Sequence, residues 1–362
     1  MLPGNSNIYN TVSINFTFYF LRWLYPPRKA EVHVNMLICD LHCDTVHKLS
    51  EYGLRDNPTS HVDLRRMLSA GYALGTFAAF VDAKHTSFPS PWDECLSLIG
   101  QLHDEFRANS DLITPVLWSG DIDTALSGGK MMALLSVEEG GVVEHDISRL
   151  DNLFSLGVRM TTLTWNYENT LACPAYCSGA EGAMPTVLGN TYIGGGLTEL
   201  GRSFVEKCNE LGIIIDVSHL SDAGFYDIAR FSRRPFIASH SNAREVTPYL
   251  RNLTDDMIKI ISSRGGLIGL NLAVDFLGGG DGESLVRHAI HIARIGGVDC
   301  LALGGDLDGI PTNPYFPDCA AVPKIADYLL AAGFTSGEVD KIMGENVLRF
   351  LRENLPEKPC IY

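Results

Sequence analysis

The stretch MLICDLHCD, residues 36–44, shows the pattern that organises the chain. Its apolar part, Met36–Asp40, is followed at once by two residues that can bind a metal ion, His42 and Asp44. A short, almost wholly apolar run is typical of a strand that is buried on both faces, as strands of a parallel sheet are. The stretch therefore predicts a buried parallel strand that ends in polar side chains.

The same pattern recurs along the chain and predicts the fold. Apolar runs alternate with helical stretches such as Asp146–Leu156 and Leu197–Leu211, and Ser221 and Thr254 are typical first residues of helices. Eight strands alternating with helices predict an α/β protein with a (β/α)8 TIM barrel, and an open doubly wound sheet is the alternative. The eight runs are Met36–Asp40, Ala73–Phe80, Met131–Glu138, Arg159–Trp165, Gly212–His219, Pro235–His240, Gly265–Leu272 and Cys300–Asp306.

The composition is that of a soluble globular protein, with 46% hydrophobic and 20% charged residues among 362. A formal net charge of −15 argues against nucleic acid or an anionic membrane as a partner. Nine cysteines, an odd number scattered along the chain, suit reduced thiols in a cytoplasmic protein. The C-x3-C pairs Cys39/Cys43 and Cys173/Cys177 lack a second Cys/His pair, so neither predicts a structural zinc site.

Residues 1–35 do not follow this pattern. Their apolar segment, Asn15–Leu24, is too short to span a bilayer, contains Arg22, and lacks the features of a signal peptide. We expect residues 1–35 to form an extension outside the barrel, with Met36 as the natural start, and residues 36–362 to form a single barrel domain. The last residues, KPCIY, lack the apolar tail of a lipid-anchored protein, so we expect no membrane anchor.

Residue types that bind metals occur where the apolar runs end. In a barrel these ends converge on one face, where active sites are built. His42 and Asp44, two apart on an extended segment, point the same way and could bind one ion. His219 and His240 could bind a second ion, and Glu138 could bridge both. Two ions so placed polarise a substrate carbonyl and generate a hydroxide at neutral pH.

Each of these residues alone is weak evidence for a site. A lone His-x-Asp is more often structural, and a single buried histidine is more often a hydrogen-bonded residue near the core. Asp306, next to two glycines, could belong to an ordinary turn. The coincidence favours a site, because four of the eight runs end in common ligand types and a fifth ends in an aspartate. The remaining histidines are interpreted as structural, with His61 the least clear because it precedes Asp63.

Longer motifs extend the pattern over most of the chain: DLHCDT (40–45), VEEGG (137–141), LTWNYEN (163–169), DVSH (216–219), ASHSNAR (238–244), GGDLDG (304–309) and GENVLRF (344–350). In these motifs the sequence, from about Met36 to Asn354, resembles the membrane dipeptidase (renal dipeptidase) family of binuclear zinc peptidases, including its bacterial cytosolic members. The intervals of 21 residues from His219 to His240 and of 11 residues from His240 to Arg251 are also similar to the family's.

The resemblance implies two zinc ions per chain. The pair His42 and Asp44 would bind one ion, the histidines of the DVSH and ASHSNAR motifs would bind the other, and a glutamate would bridge both. Glu138 and Glu139 are both available for the bridge. Counting back from the LTW residues without a gap selects Glu138, and strand alternation lets only one of the two side chains face the metals.

The resemblance also implies roles toward the substrate. Asp306 would be the acid/base carboxylate that passes a proton to the leaving amine. Arg251 would bind the C-terminal carboxylate of the substrate, a task suited to a guanidinium fork. Mammalian members carry a substrate-binding histidine after the fourth strand, where this chain has LTWNYEN instead. Asn166 in that segment could donate a hydrogen bond to the developing oxyanion.

We therefore expect a zinc-dependent dipeptidase that hydrolyses small dipeptides through a metal-bridging hydroxide. Cobalt or manganese would suit similar ligands. One alternative is a binuclear metal amidohydrolase acting on another carboxylate-bearing amide or a lactone, and a second is a barrel retained only as a binding protein. The expected partner is a small dipeptide, not nucleic acid or a membrane. We expect a cytoplasmic protein, which could pair as a homodimer.

Overall fold

The computed structural model describes residues 36–175 and 195–359. The expected extension over residues 1–35 lies outside the described residues, as do Cys177 and Cys360. The strands are β1 Ile38–Cys43, β2 Tyr72–Phe80, β3 Ile113–Pro115, β4 Met131–Glu138, β5 Val158–Thr162, β6 Ile214–Asp216, β7 Ile268–Leu270 and β8 Leu301–Leu303. The α-helices are Leu64–Ala70, Pro91–Ala108, Ser119–Gly128, Arg149–Ser155, Glu199–Leu211, Asp222–Phe231, Asp255–Ser263, Val274–Leu277, Gly282–Gly296, Lys324–Ala331, Ser336–Asp340 and Asn346–Asn354.

The strands form one parallel sheet that closes on itself. Neighbouring strands follow the order β6-β5-β4-β2-β1-β8-β7, and β3 pairs with β4 beside this path. The space between β6 and β7 is filled by Ile237 and Ala238, which form parallel single-residue bridges to Asp216 and Ile268. Because this closure leaves no open edge between β6 and β7, the fold is the predicted (β/α)8 barrel and not an open doubly wound sheet.

Four of the expected strands end earlier than their apolar runs predict. β5 ends at Thr162 and β7 at Leu270, before the expected Trp165 and Leu272. β6 and β8 stop before the predicted ends, because the chain then enters the left-handed region. His219 and Asp306 have φ angles of 69° and 58°, which no strand can contain. These two turns leave both side chains at the carboxyl end of the barrel.

Three further differences concern pairing. The expected strand over Pro235–His240 is present only as the two isolated bridges, so it is shorter than its apolar run suggests. β1 continues beyond Asp40, because Cys43 still pairs with Phe77. β3 was not expected, since three residues that end in Pro115 carry no periodic signal.

The two faces of β4 pack into different parts of the core. Its eight residues are all buried. Met132 and Leu134 join a cluster inside the barrel that includes Met160 and Ala302 from other strands, whereas Ala133, Leu135 and Val137 belong to the larger cluster around the helices. A fully buried side chain of this size contributes about 1.5–3 kcal/mol. Strand alternation places Glu138 on the inner face, in line with Met132 and Leu134.

Close backbone packing holds the segment that carries His240. A Cβ atom on Gly269 or Gly304 would lie 1.8 or 1.7 Å from the carbonyl oxygen of Ser239, so both positions require glycine. The helix starts expected from the sequence are also present. The Ser221 and Thr254 side chains accept hydrogen bonds from the backbone N–H groups of Gly224 and Met257.

Two broader expectations can be compared with the described residues. Seven cysteines lie among them, and none of these seven is in a disulfide. No helix in the described ranges is long and apolar enough to cross a membrane.

Candidate metal centre

Six side chains predicted as site residues converge at the carboxyl end of the barrel. The Nε2 atom of His42 lies 3.1 Å from Oε2 of Glu138 and 3.4 Å from Oδ2 of Asp44. Potential ligand atoms of His42, Glu138 and His240 lie within 4.8 Å of one another, as do those of His42, Asp44 and Asp306. All of these residues are buried, and each comes from the end of a strand or from the turn that follows it.

His219 and His240 form a second group on the other side of Glu138. Their Nε2 atoms lie 2.9 Å apart, and Oε1 of Glu138 lies 2.9 Å from Nε2 of His219. On the far side of the first ring, Oδ1 of Asn166 lies 2.8 Å from Nδ1 of His219, so this nitrogen carries the proton. On the far side of the second ring, Nδ1 of His240 lies 2.7 Å from Oγ of Ser239.

The proton on His240 is fixed by the next residue in the chain of hydrogen bonds. Ser239 donates its hydroxyl proton to Oδ2 of Asp216, so its oxygen accepts a proton from Nδ1 of His240. Both imidazoles are thereby held with their Nε2 lone pairs facing each other and a carboxylate oxygen of Glu138. Three electron-rich atoms at this spacing repel one another unless a cation lies between them.

The first group also shows the features of a cation site. Nδ1 of His42 and Oδ1 of Asp44 are buried and have no hydrogen-bond partner among the described residues. Buried polar atoms without partners cost about 1–3 kcal/mol each. Imidazole nitrogens and carboxylate oxygens are ordinary ligands of divalent transition metals. The residues present therefore fit a metal ion on both sides of Glu138.

Burial and neighbouring charges shift the pKa values of these groups in opposite directions. Burial, with a smaller contribution from the charge of Arg251, lowers the pKa of His219 well below its ordinary value. Burial and the charge of His42 do the same to the pKa of His240. For His42 burial also lowers the pKa, but the carboxylates of Glu138 and Asp44 outweigh it, and the net pKa is raised. His219 and His240 are thus neutral, as histidine ligands of a metal must be.

The two adjacent glutamates point in different directions. The Glu138 carboxylate lies between His42 and His219, with Oε2 nearest the first ring and Oε1 nearest the second. Glu139 has a φ angle of 91°, so the chain leaves the strand at this residue. Its carboxylate accepts hydrogen bonds from the backbone N–H groups of Gly141 and Trp165. Burial raises the pKa of Glu139 to about 7, against the opposing effect of these donors.

Asp306 faces the first group of ligands. Its Oδ2 accepts a hydrogen bond of 2.9 Å from the side chain of Asn271, and its backbone N–H donates to the carbonyl of His42 at 3.1 Å. Burial raises the pKa of Asp306 above its ordinary value. A buried carboxyl group with a raised pKa beside metal ligands is well suited to exchange a proton.

The two residues expected to bind substrate lie beside the second group. Arg251 is buried, and its guanidinium carbon is 5.5 Å from the centre of the Phe276 ring. Its positive charge contributes to the lowered pKa of both His219 and His240. The amide oxygen of Asn166 lies on Nδ1 of His219, and the expected contact of its amide group with the oxyanion stays a prediction.

Several supporting residues were not anticipated. Asp40 accepts hydrogen bonds from the N–H groups of His42 and Gly305, at 3.1 and 2.9 Å. Asp216 accepts them from Ser218 and Ser239, both at 2.9 Å. Each aspartate therefore joins two neighbouring strand ends. In the sequence, the position of an aspartate two or three residues before a candidate ligand histidine, in DLH and DVSH, is the pattern that could have indicated this supporting role.

Asp308 ties a third loop to the site. Its carboxylate accepts hydrogen bonds from the Thr45 hydroxyl at 2.8 Å and from the N–H of His61 at 2.7 Å. The ring of His61 accepts from the N–H of Asp308 and contacts Thr312. These contacts support the interpretation of His61 as a structural residue.

Comparison with known proteins agrees with this geometry. The sequence model of the membrane dipeptidase family, peptidase family M19, matches residues 27–358. An uncharacterized dipeptidase of Schizosaccharomyces pombe is 29% identical over 318 residues, which cover 83% of this chain and 74% of that protein.

Two solved structures of metallopeptidases have the same fold. The dipeptidase AC, a metallopeptidase of family M19, has a TM-score of 0.80 and 28% identity, over 89% of this chain and 99% of that one. A metallopeptidase of Rhodobacter sphaeroides, solved with a phosphinate mimic of the dipeptide L-Ala-D-Ala, has a TM-score of 0.80 and 27% identity over the same shares. With the family match over nearly the whole chain, these findings show that the protein belongs to the membrane dipeptidase family, peptidase family M19, and is a metallo-dipeptidase.

Proposed function

We propose that the protein hydrolyses small dipeptides with two zinc ions. His42 and Asp44 would bind one ion, His219 and His240 the other, and Glu138 would bridge them. The observation that carries this proposal is the pair of Nε2 lone pairs that face each other and the Glu138 carboxylate. It is supported by the two Glu138 oxygens, since Oε2 lies nearest His42 and Oε1 lies nearest His219.

The proposed chemistry divides between the metals and the chain. When bound, the two ions would polarise the scissile carbonyl and lower the pKa of the attacking water. Asp306 would take the proton from that water and deliver it to the leaving amine, and its raised pKa and burial suit this exchange. Asn271, which donates to Asp306 Oδ2, would keep the other oxygen turned toward the reacting atoms.

The substrate would be a dipeptide with a free C-terminal carboxylate. Arg251 is a buried cation beside the histidine pair, and burial strengthens its attraction for an anion. Binding of that carboxylate would fix the distance from the C-terminus to the scissile bond and so exclude longer peptides. The Rhodobacter relative binds a mimic of L-Ala-D-Ala, so a D-residue at the second position belongs among the candidates.

A substrate panel tests the proposal. It would contain dipeptides with L- or D-residues at the second position, dipeptide amides, N-acyl amino acids and lactones, assayed with zinc-replete protein. We expect turnover of dipeptides and none of dipeptide amides, which lack the carboxylate. Turnover confined to lactones or N-acyl amino acids would instead identify an amidohydrolase of a different substrate class.

The role of Arg251 has its own test. Arg251→Ala should raise KM for dipeptides about a hundred-fold, because a buried, charge-assisted bidentate contact is lost, while two metal ions stay bound. Arg264, whose guanidinium donates to the carbonyls of Ala229 and Ser232, offers a matched control. An unchanged KM in Arg251→Ala would contradict the proposed role.

Zinc, the compartment and the assembly belong to the same proposal. Imidazole and carboxylate ligands without a thiolate suit zinc, and metal analysis of protein purified without added metal would test this. A cytoplasmic location, expected from the odd number of scattered cysteines, stays a prediction. A homodimer stays a prediction, to be checked by light scattering.

A further inference from the structure

Glu139 is a buried carboxylate that the proposed chemistry does not use. It directly follows Glu138, it is 2% exposed, and its φ angle of 91° is one that side-chain-bearing residues rarely adopt. A strained backbone at a non-glycine residue beside an active site indicates a role that offsets its cost.

The Glu139 carboxylate holds the start and the end of the LTWNYEN segment. Oε2 accepts a hydrogen bond of 2.8 Å from the backbone N–H of Trp165. Oε1 accepts from the side-chain amide of Asn169, and also from the N–H of Gly141 at 3.0 Å. Asn169 in turn donates to the carbonyl of Leu163 and accepts from two further backbone N–H groups. The carboxylate and this amide together fix the path of the segment.

Asn166 lies between those two fixed points and holds His219. It follows Trp165 directly, and its amide oxygen accepts the Nδ1 proton of His219 at 2.8 Å. This contact selects the tautomer that leaves Nε2 of His219 directed at Glu138. A shift of the segment would therefore remove the partner that orients this ring.

We propose that Glu139 is a positioning residue for His219, which acts by fixing the LTWNYEN segment so that Asn166 orients the imidazole. The inference rests on the proposed function, because it gives His219 the role of a metal ligand. The two adjacent glutamates then serve one centre in two ways, with Glu138 facing the metal site directly and Glu139 orienting a ligand from behind. Removal of a residue that orients a metal ligand typically lowers metal affinity about 10- to 100-fold.

The contacts of the Glu139 carboxylate with Trp165, Asn169 and Gly141 form a clamp on the LTWNYEN segment, and two variants break this clamp in different ways. Glu139→Gln keeps the shape of the side chain but places an NH2 group against N–H donors. Gly141→Ala leaves the carboxylate in place, but a Cβ atom there would lie 2.2 Å from Oε1 of Glu139 and 2.7 Å from the amide nitrogen of Asn169. The second variant therefore tests the same contact if the first does not fold.

Asp121→Asn is the matched control. Asp121 also accepts two backbone N–H groups, from Leu117 and Trp118, both at 2.9 Å. That loop lies by the first residues of β5, where the side chain of Arg159 donates to the carbonyl of Leu117. The control thus loses an equivalent carboxylate at the opposite end of the barrel from the metal centre.

The experiment is a cobalt(II) titration of the metal-depleted protein, followed by visible absorption, with melting temperature measured alongside. We expect Glu139→Gln and Gly141→Ala to weaken one of the two cobalt ions about 10- to 100-fold and to change its absorption band, while the other ion keeps its affinity. Asn166→Ala should reproduce this change, and Glu139→Gln/Asn166→Ala should be no worse than Asn166→Ala alone. Asp121→Asn should lower the melting temperature at most.

Three results would overturn the proposal. The first is wild-type cobalt affinity and spectrum in both Glu139→Gln and Gly141→Ala. The second is an equal loss of affinity for both cobalt ions, and the third is a loss of affinity in Glu139→Gln/Asn166→Ala that equals the sum of the two single losses. Each would leave the proposed function standing. A wild-type protein that binds fewer than two cobalt ions or hydrolyses no dipeptide would instead contradict the proposed function itself.

Discussion

The two sides of the metal centre are assembled in different ways. His42 and Asp44, the β1 half, come from a single strand end and are two residues apart in the chain. His219 and His240, the histidine half, come from two neighbouring strand ends that are 21 residues apart. Glu138 stands between the halves, with one carboxylate oxygen nearest each.

The halves also differ in what orients them. Around the β1 half the backbone is held through Asp40 and the turn at Asp306. Within the described ranges the ring nitrogens of His42 contact no supporting side chain besides the proposed ligands Glu138 and Asp44. In the histidine half each ring is held by a side chain, Asn166 or Ser239. Changes outside the ligands should therefore act on the β1 half through sterics and on the histidine half through hydrogen bonds.

The largest effect is expected where the halves meet. Glu138→Gln should lower dipeptide hydrolysis about a thousand-fold and weaken both metal ions, because a neutral amide cannot offset two divalent charges. Metal analysis and steady-state kinetics on the same preparation would measure both effects. Glu105→Gln is a matched control, since Glu105 is a half-buried glutamate on the helix Pro91–Ala108 whose carboxylate accepts the backbone N–H of Leu54. Loss of one ion with the other unaffected would show that Glu138 belongs to one half only.

A ligand substitution should separate the halves. His219→Ala should reduce the metal content from two ions to one and lower activity more than about a hundred-fold, because the histidine half would keep a single ligand of its own. His291→Ala is a matched control for the loss of a histidine. His291 lies on the helix Gly282–Gly296, and its ring donates a hydrogen bond to Asp255 at the start of another helix. Two ions per chain in His219→Ala would contradict the assignment.

A smaller, steric effect is expected on the β1 half. A Cβ atom on Gly309 would lie 2.1 Å from Oδ2 of Asp44 and 2.5 Å from Oδ1 of Asp306, so Gly309→Ala must displace one of these carboxylates. We expect metal affinity to fall about 10- to 100-fold for one ion, with the spectrum of a cobalt ion in the histidine half unchanged. Gly337→Ala, where a Cβ atom has open space, is the matched control.

The smallest effect is expected for the hydrogen bond behind His240. Ser239→Ala removes the oxygen that accepts the Nδ1 proton, while Asp216 keeps its contacts with the backbone N–H groups of Ser218 and Ser239. Affinity for the ion of the histidine half should fall about ten-fold, measured by competition with a chelator. Equal weakening of both ions would mean that the two halves are not oriented independently.

The contrast between the halves also explains what the sequence could predict. The apolar runs predicted the barrel because buried parallel strands leave a simple signal, and the positions of the ligands at their ends followed from that fold. The short bridges at Ile237 and Ala238 could not be predicted as such, since their run is as apolar as a full strand. The left-handed turns at His219 and Asp306 were hidden because their residue types do not require them.

Roles that depend on side-chain direction were the hardest to predict. Asn166 and Glu139 were noticed in the sequence, but only their atomic contacts link one to His219 and the other to Trp165. Asp40 and Asp216 look like ordinary acidic residues until the N–H groups around them are known. Contacts between residues distant in the chain leave no local pattern, so the supporting residues of the centre emerged only from the structure.

The central claim is that both halves hold a metal ion and act together on dipeptides. It is tested most directly by removing all metal with a chelator and adding zinc back in steps, with ions per chain and dipeptide hydrolysis measured at each step. We predict no hydrolysis without metal and full activity only as the content approaches two zinc ions per chain. Full activity at zero or one ion per chain would contradict the account.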